Sequence, residues 1–498
     1  MTTARLSRLI VLFASLLFAC VAVAIWVAPD QAARALGLAS VRAAGAAVVR
    51  ADLGGLFAGL ALLCAAAAWT RRRSWTGAAV IFLGAIVAGR LLGWISRGGI
   101  GADVPELLVE LVLIAALLAL VRSGSTPVAT TSQRPWRPTA VQGALIILPL
   151  AGTTALLSPQ IQQRIFETGA RRLAATVNTA PLVDDALRVA ICGSSAPLAS
   201  KDRAKACVAV FAGGKFYIVD VGPESVKNLV MWGIPLSSIG GVLLTHFHSD
   251  HIGDLGELNL QTWAAGRSEP LEVHGGPGVE RIVNGFNDAY RLDQGYRTAH
   301  HTDKVMPPST WPMMPHAVAL SGPETAAINR RAVVLHGNGL TITAIEVDHT
   351  PITPAYAYRF DYKGRSVLVS GDLKFHPSLA EAASGVDVLV SEAISVQMTR
   401  ALGGGAKNGG RDRAAAIMHD IEDYHITPEQ AATIANEAHA KLLVFYHLLP
   451  APDGALARRV FGRGIDDARR GDWTIADDGS LYELPIGSDA VRIGTVVE

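Results

Sequence analysis

Apolar positions along the 498-residue chain change their spacing near residue 160. Before it they run in unbroken stretches at about 6–27, 53–69, 77–95 and 105–121, read as long enough to cross a bilayer, which needs roughly 20 residues. A fifth stretch at 141–158 is interrupted by Pro149 and Gly152. These runs predict an all-α transmembrane domain of four spans over 1–122, a proline-rich linker over 123–139 and a fifth transmembrane helix within 140–158. Residues 159–186 read as a connecting helix, with Arg164, Arg171 and Arg172 suited to a headgroup region. From 187 the pattern becomes that of short strands between turns. Runs at 188–192, 206–211 and 215–221 are strand candidates, the last two flanking Gly213-Gly214. Further strands precede His246, His349, Asp372 and His447, with helical segments at 225–232 and 429–440 between them. One domain over 187–498 is expected.

Composition divides the chain at the same place. The first 160 residues hold thirteen arginines, five acidic residues and no lysine, a net +8, so the remainder carries −7 within a total of +1. Neither part has the dense basic patch of a nucleic-acid binder, so nucleic acid is not expected as a partner and a lipid bilayer is. The first stretch is too long for a signal-peptide core and reads as an anchor. With the N-terminus cytoplasmic, eight loop arginines fall inside (5, 8, 71, 72, 73, 122, 134, 137) and four outside (34, 42, 50, 97), the favoured orientation. Five spans then place the C-terminal domain on the periplasmic side of a bacterial inner membrane. Without the fifth crossing it is cytoplasmic. Arg90, Glu106 and Glu110 fall within predicted spans and Asp52 begins the second; Arg90 and Glu110 are at matching depth and are expected to pair.

The densest group of ligating side chains is Thr245-His246-Phe247-His248-Ser249-Asp250-His251, directly after Gly241-Val242-Leu243-Leu244. A strand ending in such a loop turns its imidazoles and carboxylate toward one point, and these are the usual ligands of catalytic zinc. His246 and His248 alternate away from Asp250 and His251, so two adjacent ions can share the loop.

With Ile252-Gly253-Asp254-Leu255 following, this motif resembles the signature of the metallo-β-lactamase superfamily, and the resemblance covers about residues 187–485. His349 in Val347-Asp348-His349-Thr350-Pro351, Asp372 in Val369-Ser370-Gly371-Asp372 and His447 in Leu443-Val444-Phe445-Tyr446-His447 match the later ligand positions. The resemblance implies an α+β fold, a four-layer αββα sandwich with the metals at one edge. It implies that His246, His248 and His349 hold one zinc, that Asp250, His251 and His447 hold the second, and that Asp372 bridges the two Zn2+ ions. Two ions about 4 Å apart can share a hydroxide and lower its pKa, and Asp250 is expected to orient this nucleophile as well.

Asp372 at the bridging position, the run after Thr350-Pro351, and His425-Ile426-Thr427-Pro428-Glu429-Gln430-Ala431-Ala432 resemble the ribonuclease Z and arylsulfatase-like branch, which cleaves phosphodiesters, sulfate esters or related esters. By that resemblance His425 is a proton donor supported by Glu392; the alternative for His425 is a helix-start residue. Leu373 and Ser391 depart from the branch's usual threonine and histidine, and no glycine-rich basic arm for gripping transfer RNA is visible. Gly403-Gly404-Gly405 and Gly409-Gly410, with Lys407, Arg411 and Arg413, read as a flexible basic loop.

Of four cysteines, Cys20 and Cys64 lie in predicted spans. Cys192 and Cys207 lie on consecutive strand candidates, where a disulfide suited to an oxidising compartment and two buried thiols both fit. The expected protein is a membrane-anchored dinuclear metal-dependent hydrolase acting on a small phosphodiester or related ester. A lactone, thioester or β-lactam hydrolase is the first alternative, and a metal-binding membrane sensor without turnover is the second.

Overall fold

The computed structural model describes residues 3–27, 53–70, 73–97, 104–122, 159–175, 177–321 and 330–497. The chain divides into two units, Met1–Leu150 and Ala151–Glu498. The linker at 123–139, the fifth stretch at 140–158, Asp52 and the side chains of Arg90 and Glu106 lie outside the described residues, and with them the expected pairing of Arg90 and Glu110.

The first unit is helical, with Thr3–Val27, Gly55–Thr70, Arg73–Arg97 and Val104–Arg122. Its helices meet through small side chains: Ala14, Cys64, Ala67, Ala68, Ala79 and Ala116 are buried beside Leu60 and Leu83. Large apolar side chains point outward, among them Phe13, Leu16, Leu62, Trp69 and Ile81. Among the described residues one helix, Ser7–Trp26, is long and apolar enough to cross a membrane. The apolar helices Gly55–Thr70, Ser74–Ala88 and Val109–Ala119 are shorter. A 16-residue helix such as Gly55–Thr70 reaches only about 24 Å, against a hydrocarbon core of about 30 Å. Length and apolarity thus support one of the four expected spans.

The second unit begins with helix Pro159–Ala175 within the expected connecting segment. Strands β1 (Ala186–Gly193), β2 (Cys207–Ala212), β3 (Lys215–Val219), β4 (Ile239–Leu243), β5 (Leu271–Gly275) and β6 (Met313–Ala317) build most of one sheet. Strands β7 (Arg331–Gly337), β8 (Leu340–Glu346), β9 (Tyr356–Tyr362), β10 (Arg365–Val369), β11 (Val388–Ile394), β12 (Leu442–Leu449) and β13 (Asp472–Ile475) build the other. The terminal β14 (Ser480–Pro485) and β15 (Arg492–Thr495) return to the first. The orders are β15-β14-β1-β2-β3-β4-β5-β6 and β13-β12-β11-β10-β9-β8-β7. Each sheet is part parallel, over β3 to β6 and over β10 to β13.

Near-continuous apolar strands follow from burial of both faces of each sheet. In β1, Leu187, Val189 and Ile191 point into the core between the sheets, which also takes Tyr358, Phe360 and Val444 from the second sheet. Ala190 and Cys192 point the other way, against helices carrying Val226, Leu229, Leu258 and Val283. On the far side, Leu389, Leu443 and Phe445 pack under Ala431, Ile434 and Ala435. The result is a mixed α/β arrangement in four layers, helices–sheet–sheet–helices. Cys192 and Cys207 form a disulfide between β1 and β2, with Cα atoms 4.9 Å apart.

The basic loop expected near 403–413 is instead two helices joined by a short turn at Gly409-Gly410-Arg411. Val396–Asn408 and Asp412–Asp420 pack against each other, and the glycine-rich stretch lies inside the first helix. Gly403 explains the exception: a Cβ there would lie 3.2 Å from the Met418 Cβ, so its absence lets the helices approach.

Gly371 is the one site-forming glycine that both backbone and space demand. Its φ is +61°, and a Cβ would lie 2.8 Å from both the Thr245 Cβ and the Tyr356 carbonyl oxygen. Gly371→Ala is expected to destabilise the fold by about 2 kcal/mol through strain and overpacking, seen as a lower denaturant midpoint. An unchanged midpoint would show that the turn carries no such constraint.

Candidate metal centre

The parallel strands of both sheets aim their C-terminal ends at one edge, and the chemistry collects there. Thr245 and His246 follow β4, and the short helix Ser249–Ile252 carries Asp250 and His251. His349 follows β8, Asp372 follows β10, Glu392 lies on β11 and His447 on β12. In β12, Tyr446 pairs with Glu392 and Leu448 with Ala393, so His447 is the extra residue of a bulge. Its φ of 41° is left-handed, and the bulge turns the imidazole into the site.

All seven sequence-nominated ligands converge. His246, His248, His349 and Asp372 form one group of ligand atoms within 4.8 Å of each other, and Asp250, His251 and His447 form another. Asp372 lies between them. Its Oδ2 is 4.0 Å from His246 Nε2, 3.9 Å from His349 Nε2 and 3.4 Å from His251 Nε2, while its Oδ1 is 3.4 Å from His447 Nδ1. His246 Nε2 and His248 Nδ1 face each other at 2.9 Å, and His447 Nε2 is 3.2 Å from Asp250 Oδ2.

Four buried polar atoms at this point have no hydrogen-bond partner: His251 Nε2, His349 Nε2, Asp372 Oδ1 and His447 Nδ1. Each such atom costs about 1–3 kcal/mol if left unsatisfied. Lone pairs from imidazole and carboxylate aimed at common points, with partners missing, fit divalent cations bound by nitrogen and oxygen.

The outward nitrogens are fixed from behind. His349 Nδ1 donates to the Tyr424 carbonyl at 2.9 Å, leaving Nε2 for the site. His251 Nδ1 is 2.8 Å from Asp220 Oδ2, and Asp220 also accepts from the Thr245 amide and hydroxyl, each at 2.8 Å. Such partners set the tautomer and orientation of a ligating imidazole. Asp220 is fully buried just past β3 with φ 60°. It was not nominated by the sequence reading, although a carboxylate inside the apolar run Ile218-Val219-Asp220-Val221 was a usable signal.

His425 and Glu392 also come together. His425 Nδ1 is 2.9 Å from Glu392 Oε1 and 3.0 Å from Oε2, and Glu392 Oε1 accepts from the Leu373 amide at 3.0 Å. Helix capping falls to Thr427, which forms a capping box with Gln430, so His425 is not the cap of that helix.

The two groups differ in proton content. Burial pushes His246, His248 and His349 below the ordinary imidazole pKa. Burial also opposes charge on His251 and His447, but carboxylates outweigh it. Asp372, Asp220 and Asp250 hold His251 well above its ordinary value, and Asp372 and Asp250 raise His447 to about 10. Against its own burial, Asp250 drops to about 2 beside His251 and His447. Glu392 is likewise held low by His425 despite burial. A cation entering the second group must displace the protons of His251 and His447. Zinc uptake should therefore release protons, and apparent affinity should rise with pH up to about 10. Calorimetry in buffers of different ionisation enthalpy counts those protons; no release at pH 7 would mean both imidazoles are already neutral.

The family description "Beta-lactamase superfamily domain" matches residues 218–448. Ribonuclease Z of Mycobacterium bovis (strain BCG / Pasteur 1173P2) is 32% identical over 268 residues, 53% of this chain and 87% of that protein. Ribonuclease Z of Mycobacterium avium (strain 104) is 32% identical over 272 residues, with the same coverage of 53% and 87%. Among solved structures, the short form of human tRNase Z aligns with a TM-score of 0.43 and 19% identity, covering 60% of this chain and all of that one. Relatives that bear a ribonuclease's name weigh against the charge-based expectation that excluded nucleic acid.

Proposed function

The chain belongs to the metallo-β-lactamase superfamily and is a metal-dependent hydrolase, and from that premise we propose that it hydrolyses a phosphodiester. The observation that carries this reading is the convergence of seven ligand side chains on one buried edge, with the His425–Glu392 pair beside them. We assign His246, His248 and His349 to one ion, Asp250, His251 and His447 to a second, and Asp372 to both. Zinc suits these donors. When bound, two such ions supply Lewis acidity toward water and phosphoryl oxygen.

The chain's own residues carry the remaining roles. Asp250 orients the attacking water. As that oxygen bonds to phosphorus and gives up a proton to solvent, the P–O bond to the leaving group breaks, the departing oxygen takes a proton from His425 Nε2, and solvent returns a proton to His425. Glu392 holds and orients His425 through Nδ1. An RNA substrate is the second reading, favoured by the ribonuclease Z relatives.

The same proposal places the chain at a membrane, held by helix Ser7–Trp26 and packed there with its neighbouring helices, with the hydrolase unit outside the cytoplasm. Two observations support it. Large apolar side chains such as Phe13, Leu62 and Trp69 face outward while small ones face inward, the arrangement suited to lipid. The Cys192–Cys207 disulfide suits an oxidising compartment.

Zinc-loaded protein should cleave bis(p-nitrophenyl) phosphate, and His248→Ala or Asp250→Ala should lower kcat/KM at least about 100-fold. Metal-replete protein inert toward every phosphodiester, precursor transfer RNA included, would sink the reading. His425→Ala should lower kcat about 10²–10⁴-fold for alkoxide leaving groups but far less for p-nitrophenolate, which leaves without a proton. Equal losses for both would remove the proton-donor role. A reporter at the C-terminus should be active only outside the cytoplasm, and unreduced, denatured protein should show two free thiols, Cys20 and Cys64. Four thiols, or a cytoplasmic reporter, would reverse the topology.

A further inference from the structure

Beside the metal centre lies a cleft of about 280 Å3. His248, Asp250, Asp372 and His425 form its polar end. Leu198, Ile417, Met418, Ile421 and Leu449 form most of the rest, and no lysine or arginine lines it. Met418, Ile421 and Leu449 pack with Ala196 and Ile394 as an apolar cluster separate from the sheet cores. Met418 is held there by the close helix pair, since Gly403 offers no Cβ to push it aside.

Leu198 and Met418 also line a second hollow, of about 510 Å3, whose other walls include Met398, Ala401, Leu402 and Pro450. Ile417 and Leu402 remain 49% and 50% exposed, so the rim of the path is apolar as well. The two hollows share Leu198 and Met418 as lining, so apolar side chains continue from beside the metal centre past Met418 to the exposed Leu402. A neighbouring phosphate of a polynucleotide laid along them would lose water and meet no cationic side chain in the lining, which is costly; the nearby Lys205 ammonium is already held by the Leu198 carbonyl at 2.6 Å and the Ser195 hydroxyl at 3.1 Å. Arg400, in an adjoining hollow with Lys407, is hydrogen-bonded to the Glu422 carboxylate at 2.8 Å.

Resting on the phosphodiesterase reading, we propose that the substrate is an amphiphilic ester. Its phosphoryl group sits at the metal centre, and an alkyl or aryl substituent lies along Leu198, Met418 and Leu402. The apolar group gains by leaving water, and the absence of a lining cation turns away a chain that carries a charge at every unit.

The test uses full-length zinc-loaded protein and p-nitrophenyl phosphodiesters whose second ester group runs from methyl to hexyl. We expect kcat/KM to rise up to about fourfold per added methylene until the route is full. Met418→Trp, which blocks the shared wall, should flatten the rise, and Leu402→Trp should end it at a shorter chain; zinc content equal to the unaltered protein reports that each variant is folded. A rate independent of chain length, a rise untouched by both substitutions, or a higher kcat/KM for RNA than for the hexyl ester would overturn the proposal. If no ester of the series is cleaved, the phosphodiesterase reading itself falls, and binding then decides the apolar route. Methyl- to hexylphosphonate titrated by calorimetry should bind more tightly with each methylene, and equal affinities along that series would overturn it.

Discussion

Three imidazoles and a carboxylate, buried at the edge of two sheets, turn ligand atoms toward one another with no hydrogen-bond partner to satisfy them. A protein interior tolerates such a cluster only when something else supplies the missing interaction and the surrounding fold resists relaxation. Much of the second unit can be understood as that resistance. His349 is tied to the Tyr424 carbonyl, and His251 to Asp220, which in turn is tied to Thr245. None of these imidazoles can rotate away to find water without breaking a buried hydrogen bond.

The backbone carries the same constraint. Asp220 and His447 both adopt left-handed φ values, which non-glycine residues rarely hold without support. Parallel pairing supplies the support. β3 and β4 run together beneath Asp220 and Thr245, and β11 and β12 beneath Glu392 and His447. The sheets thus serve the centre by ending at one edge and by holding two costly backbone positions next to it. The apolar wall around Met418 combines a helix pair lying between β11 and the His425 segment with Ile394 and Leu449 at the ends of β11 and β12, so the strands that carry Glu392 and His447 also supply lining residues.

Legibility in the sequence followed distance along the chain. The run from His246 to His251 could be read directly because four of the seven ligand types sit within one loop, and His349, Asp372 and His447 were marked by the apolar runs just before them. The short apolar strand runs were legible for the same local reason. The stretch around Gly403-Gly404-Gly405 misled because glycine is unfavourable in helices on propensity alone, whereas here packing on Asp412–Asp420 offsets the penalty. Of the long apolar runs near the N-terminus, one gives a helix long and apolar enough to cross a membrane among the described residues, and the other apolar helices are shorter.

By itself, then, the chain determined its superfamily and its two-part organisation by composition, and it nominated the seven side chains that meet at one edge, because each is written in residue type and short-range order. Tertiary structure decided what depends on meeting across the fold. Asp220 behind His251, the Tyr424 carbonyl behind His349, the joining of Cys192 to Cys207 and the wall made by Leu198, Met418 and Leu449 are all of this kind. The physical reason is that orientation and desolvation are properties of neighbours in space. A carboxylate or a methionine takes on a role only when the packing of distant strands and helices removes the water around it and leaves it one direction to face.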